Sequence, residues 1–147
     1  MANTNFLKEK VEPFVRDWLA QKFGQPFHSE FLPLTAAQGS VARHEFDAVS
    51  EDRTIVCGIK TASWKTSGGK RGSGKIQGAY AEIYFLSLIE AAEKYLVLTD
   101  AEFFENLKRD AKGKLAPGIE ILHCELPEDL KREVDNIRTT SPQELGF

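Results

Sequence analysis

The chain predicts an α/β fold, with a mixed central sheet containing an antiparallel meander and flanked by helices. Three observations carry this reading. Apolar residues recur at helical spacing near the start, three strand-like runs then follow one another with only turns between them, and helical and strand-like runs alternate from there to the end. With 147 residues the sequence fits one domain over 1–147, long enough to bury a core without disulfides.

Phe6, Leu7, Val11, Phe14, Val15, Trp18 and Leu19 lie on one helical stripe that stops at Phe23 and Gly24. Residues 27–34 form a short apolar strand bounded by Pro26 and Pro33, followed by a turn near Gln38, Gly39 and Ser40. Strands are expected over 41–49 and 54–61, joined by a turn at Ser50, Glu51, Asp52 and Arg53. After a stretch rich in Gly, Ser and Lys, an apolar helix is expected from Ile76 to about Glu93, with Tyr80, Ile83, Tyr84, Leu88 and Ala91 on its buried stripe. Residues 95–98 read as a buried strand. Thr99 followed by Glu102 has the capping-box pattern for a helix over Phe103, Phe104 and Leu107. Residues 119–126 alternate as a strand, and Pro127 opens a last helix with Leu130, Val134 and Ile137 on one face.

Composition is that of an ordinary soluble protein, at 41% hydrophobic and 28% charged residues. Neither a secretory leader nor an apolar run of spanning length is found, so the expected location is cytoplasmic, with no membrane partner. Cys57 and Cys124 lack the paired spacing of a zinc site and sit in apolar runs, which predicts buried thiols. His28, His44 and His123 also lack metal-ligand spacing. The net charge is −3, yet every charge between Arg53 and Glu82 is positive: Lys60, Lys65, Lys70, Arg71 and Lys75. Such a basic stretch concentrates potential where a phosphate backbone would bind.

The segment HEFDAVSEDRTIVCGIKTASWKT carries the chemistry. Asp47 closes one short strand and Lys60 closes the next. A carboxylate beside a lysine suits phosphodiester cleavage, because a hard divalent cation needs oxygen ligands and a lysine stabilises developing charge. The acid that would complete the arrangement, two residues before the lysine, is replaced by Gly58.

These residues resemble the PD-(D/E)xK nuclease superfamily. Phe46 and Asp47 stand at its PD pair, and Gly58, Ile59 and Lys60 at its (D/E)xK. The resemblance implies a restriction-endonuclease-like core and a Mg²⁺- or Mn²⁺-dependent DNA endonuclease. Asp47 and the main-chain carbonyl of Ile59 would be metal ligands, Lys60 a catalytic residue, and Glu12 of the first helix a further acid. DNA is the partner implied, and a homodimer stays open. Lys65, Lys70, Arg71 and Lys75 would draw in the backbone, with Gln77 near the start of the following helix as a phosphate contact.

Two residues offer to replace the missing acid. If Glu51 and Asp52 form the hairpin tip, Asp47 faces Val56 and Glu45 faces Gly58, so Glu45 would serve as a catalytic and metal-binding carboxylate over the space Gly58 leaves. Glu82, on the following helix beside Gly78 and Ala79, is the other, since some relatives in the superfamily carry an acid there. A catalytically inactive nuclease-fold module that binds nucleic acid or protein is the alternative. A P-loop nucleotide site is a further rival, because Gly69, Gly74 and Lys75 satisfy G-x-x-x-x-G-K and residues 95–100 resemble a strand delivering a second acid. Against it, Ile76 stands where a magnesium-binding serine or threonine belongs.

Overall fold

A computed structural model describes residues 4–35, 42–64 and 73–144. Its architecture is α/β. Five strands form one sheet in the order β1-β2-β3-β4-β5: β1 (Phe27–Pro33), β2 (Arg43–Ser50), β3 (Ile55–Lys60), β4 (Glu93–Leu98) and β5 (Ile119–His123). The first three are antiparallel neighbours, and β3, β4 and β5 run parallel. The helices are α1, a single turn at Thr4–Phe6, then α2 (Glu12–Phe23), α3 (Ser73–Ser87), α4 (Ala101–Asp110) and α5 (Glu128–Glu144). A π-helical segment, Leu7–Val11, joins α1 to α2.

Alternation along the strands sorts the core into two layers. Ile55, Cys57 and Ile59 of β3 pack with Val97 of β4 against Val15 and Leu19 of α2 and Val134 of α5. Val56 of β3 and Leu96 and Leu98 of β4 face the other way, onto Ala79, Ile83 and Leu86 of α3 and Phe103 and Leu107 of α4. Cys57 and Cys124 are buried in the first layer, and burial pushes the Cys124 thiol up to about 12. Helix α2 ends on Gly24, whose φ of 76° is the left-handed cap that glycine adopts without a Cβ penalty.

Several local expectations are corrected. The cap of α4 is Asp100 rather than Thr99: its carboxylate accepts the Phe103 N–H at 2.9 Å, while Thr99 is buried as its own N–H bonds to Lys60 O. Helix α3 begins and ends earlier than predicted, so Leu88 and Ala91 fall beyond it. Its buried stripe is Ala79, Ile83 and Leu86, which leaves Tyr84 59% exposed. The tip of the β2–β3 hairpin takes four residues, 51–54. Arg53 is left-handed at φ 61°, Asp52 Oδ1 accepts from the Thr54 N–H and the Ser50 hydroxyl, and Ser50 Oγ accepts the Ile55 N–H. Those bonds fix the register as Ala48 opposite Cys57 and Val49 opposite Val56. The expected pairing of Asp47 with Val56 does not form, since Val56 stands opposite Val49.

No helix among the described residues is long and apolar enough to cross a membrane.

Candidate active site

The site begins with an irregularity in β2. Between the pairs His28–Val49 and Glu30–Phe46, Asp47 and Ala48 together stand opposite Ser29 alone, which is a β-bulge. The bulge switches faces: Ala48 belongs to the α2 layer, whereas Phe46 packs in the α3 layer. On the other side, β2–β3 pairing stops at Ala48 and Cys57. Asp47 sits where the strands part, and its carboxylate takes over the lost ladder bond, Oδ2 accepting the Ile59 N–H at 2.8 Å. The main chain of Asp47 is held from the α2 side, where Arg16 Nη1 donates to its carbonyl at 3.0 Å. The same nitrogen lies 3.7 Å from Glu12 Oε1. Sequence reasoning missed Arg16, although its place four residues after Glu12 put both on one helix face.

Glu82 approaches from α3. Its side chain lies over Gly58, with Cγ 2.6 Å and Oε1 3.1 Å from the point a Cβ on residue 58 would occupy. A helix carboxylate therefore fills the space that the strand leaves open. Lys60 shares that face by alternation with Gly58, and its charge acts on both Asp47 and Glu82.

Three acids feel this enclosure. Burial raises the carboxyl of Asp47, opposed by the Ile59 N–H and by the charges of Lys60 and Arg16. Glu82 is raised first by burial and further by Asp47, with His44 and Lys60 pulling it down. Glu12 is raised by burial and by Asp47, against Arg16 and Lys8. Carboxylates crowded and desolvated in this way gain from a cation.

The pairing expected for Glu45 does not form. The longer tip shifts the register by two residues and the bulge sends Phe46 to the α3 layer, so its neighbour Glu45 turns to the α2 side, exposed and paired through its backbone with Phe31. Its charge still reaches Glu12 and Asp47. His44, back on the α3 side, was passed over for want of ligand spacing, yet its Nε2 lies 3.4 Å from Glu82 Oε2. No sequence signal pointed to it, because the bulge decides which face it takes.

Of the basic group, Lys65, Lys70 and Arg71 lie outside the described residues. Lys75, in the first turn of α3, donates from Nζ to Ser63 O at 2.5 Å, and Gln77 is exposed. Asp100, the second acid of the P-loop alternative, is committed to structure: its Oδ2 accepts from the N–H groups of both Trp64 and Phe103.

Among the described residues no three His, Cys, Asp or Glu side chains converge as a ready-made metal cluster. The donors present are hard oxygens on Asp47 and Glu82, joined by one main-chain carbonyl. Since Lys60 O accepts from Thr99 on the β4 side, the preceding carbonyl of Ile59 points toward Asp47. Mg²⁺ is commonly held by one or two carboxylates and keeps several waters, so this donor set fits it. No protein-family model, curated protein or solved structure matches this chain.

Proposed function

We propose that this chain is a metal-dependent nuclease that hydrolyses DNA phosphodiester bonds, with the second carboxylate of its site supplied by Glu82 from α3 instead of by residue 58. One observation carries the reading: Glu82 lies over Gly58, in charge contact with both Asp47 and Lys60. An acid at the missing position, reached from another element, keeps the residue types that the chemistry needs.

Asp47 and Glu82 would hold Mg²⁺ or Mn²⁺, with the Ile59 carbonyl as a third oxygen. A bound cation would supply Lewis acidity toward the phosphate and a more acidic water. The Ile59 N–H fixes the rotamer of Asp47, and Arg16 fixes its backbone, so the ligand is pre-placed. Lys60 would stabilise charge developing on the phosphate oxygens. Glu12, within charge range of Asp47, would add negative potential to the α2 side of the site. Lys65, Lys70, Arg71 and Lys75 would bind the DNA backbone, and Gln77 would contact phosphate beside the start of α3.

The test is cleavage of single- and double-stranded DNA with Mg²⁺ or Mn²⁺, comparing wild type with Asp47→Ala, Glu82→Ala and Lys60→Ala. Each substitution should lower the rate on the order of 10²-fold or more, as removal of a charge-stabilising group commonly does. Cleavage at the wild-type rate by Asp47→Ala and Glu82→Ala would overturn the assignment. Metal and DNA binding without any cleavage by wild type would instead identify an inactive binding module on the same site.

A further inference from the structure

The α3 layer holds a histidine that the nuclease chemistry does not call for. His44 stacks flat on Phe85, with ring centroids 4.0 Å apart and planes at 8°, and meets Phe46 edge-on at 4.7 Å. Phe46 is fully buried, and Phe85 lies three residues after Glu82 on α3, close to the same helix face. The imidazole is thereby registered to the helix turn that carries Glu82. Its Nε2 is shielded from solvent and makes no hydrogen bond of good geometry among the described residues, yet it lies only 3.4 Å from Glu82 Oε2.

The two oxygens of Glu82 therefore have different surroundings. Oε2 is turned to His44, while Oε1 is the oxygen over Gly58, on the face shared with Lys60. A glutamate reaching from a helix has more torsions to fix than an acid projecting from the strand itself. Something must hold it, and a nitrogen donor on one oxygen leaves the other facing the metal. Resting on the assignment of Glu82 as the second carboxylate, we infer that His44 is a positioning residue, donating from Nε2 to Glu82 Oε2 and so presenting Oε1 to the cation. A small approach of the two groups completes the bond and satisfies a buried ring nitrogen that is costly to leave unpaired.

Two substitutions separate this role from simple packing. His44→Phe keeps an aromatic ring on Phe85 and has no donor; His44→Gln gives up the ring and retains an N–H. Mn²⁺ affinity, read by calorimetry at fixed pH, should fall about 10- to 100-fold in His44→Phe, as it does when an outer partner of a metal ligand is lost. His44→Gln should recover most of that loss. In a Glu82→Ala background, His44→Phe should cost nothing further, because its effect passes through Glu82. Where that background binds too weakly to read, the contrast between His44→Phe and His44→Gln decides.

Wild-type affinity in His44→Phe, or an equal loss in His44→Phe and His44→Gln, overturns the positioning role. Failure of the underlying site looks different: Asp47→Ala and Glu82→Ala would then bind Mn²⁺ as wild type does, or wild type would bind none. If those two variants lose binding while His44→Phe does not, the metal site stands and the inference about His44 alone falls.

Discussion

Glu82 Cγ lies 2.6 Å from the point that a Cβ on Gly58 would occupy, so the two positions exclude one another in the present packing. Glycine at 58 is thus what allows a helix residue to lay its carboxylate on the strand. Across the strand gap, Asp47 takes the Ile59 N–H, one residue along from that same glycine.

This exclusion predicts the result of moving the acid. Gly58→Glu alone places a side chain into Glu82 and should destabilise the protein by about 1–3 kcal/mol, the usual cost of overpacking. It should not tighten Mg²⁺ binding. Combining Gly58→Glu with Glu82→Ala clears the space and returns the acid to the strand, so metal affinity and cleavage should rise above those of Glu82→Ala. Thermal unfolding and Mg²⁺ titration of the three variants check this, and a double variant no better than Glu82→Ala would show that the two positions are not equivalent.

Cation binding should be visible as stability. A ligand that binds only the folded state adds about 2.7 kcal/mol at a concentration 100 times its Kd. Mn²⁺ or Mg²⁺ at that concentration should therefore raise the Tm of wild type by roughly 5–11 °C for a chain of this size. Asp47→Ala and Glu82→Ala should show no such rise. A Tm increase that survives both substitutions would place the cation elsewhere.

The acid-free stretch predicts where affinity for DNA resides. Lys70→Ala with Arg71→Ala should weaken binding across unrelated sequences and reduce the salt slope by roughly 0.9 for each duplex phosphate that the protein no longer neutralises. Binding isotherms at several salt concentrations measure both. An unchanged slope would remove these two residues from the interface.

What the sequence disclosed follows from what each signal depends on. Periodicity reports which face of an element is buried, and it placed the α/β order, the hairpin carrying Asp47 and Lys60, and the buried positions of Cys57 and Cys124. It missed where a regular pattern breaks. The bulge at Asp47 and Ala48 leaves no mark in the string HEFDAVS, yet it turns Glu45 away from Gly58 and brings His44 to Glu82. The four-residue hairpin tip depends on Asp52 side-chain bonds that compete with continued strand pairing, so the register shifted by two. The buried stripe of α3 was misplaced because aromatic Tyr84 read as core, whereas small Ala79 is the fully buried residue of that turn and Gly58 on the strand leaves the space into which Glu82 reaches.

The raised carboxyls give a last prediction, with a definite sign. Asp47, Glu82 and Glu12 hold their protons more tightly folded than unfolded, chiefly through burial. Their contribution to stability is fully present below the ordinary carboxylate range, about pH 4, and is lost as pH rises through their elevated values. Asp52 acts oppositely, since hydrogen bonds from Thr54 lower its carboxyl to about 2, but it is exposed and common to wild type and variant. Asp47→Asn isolates the site: the amide oxygen still accepts the Ile59 N–H, while the charge that raises Glu12 and Glu82 is gone. Without divalent cation the variant should match wild type near pH 4 and become the more stable of the two by pH 7. Adding Mg²⁺ should reverse that order, because only wild type retains the ligand. Urea unfolding from pH 4 to 8, with Mg²⁺ and with chelator, measures it. A variant less stable than wild type by the same margin at every pH would show that Asp47 serves the fold through its hydrogen bond and not a cation through its charge.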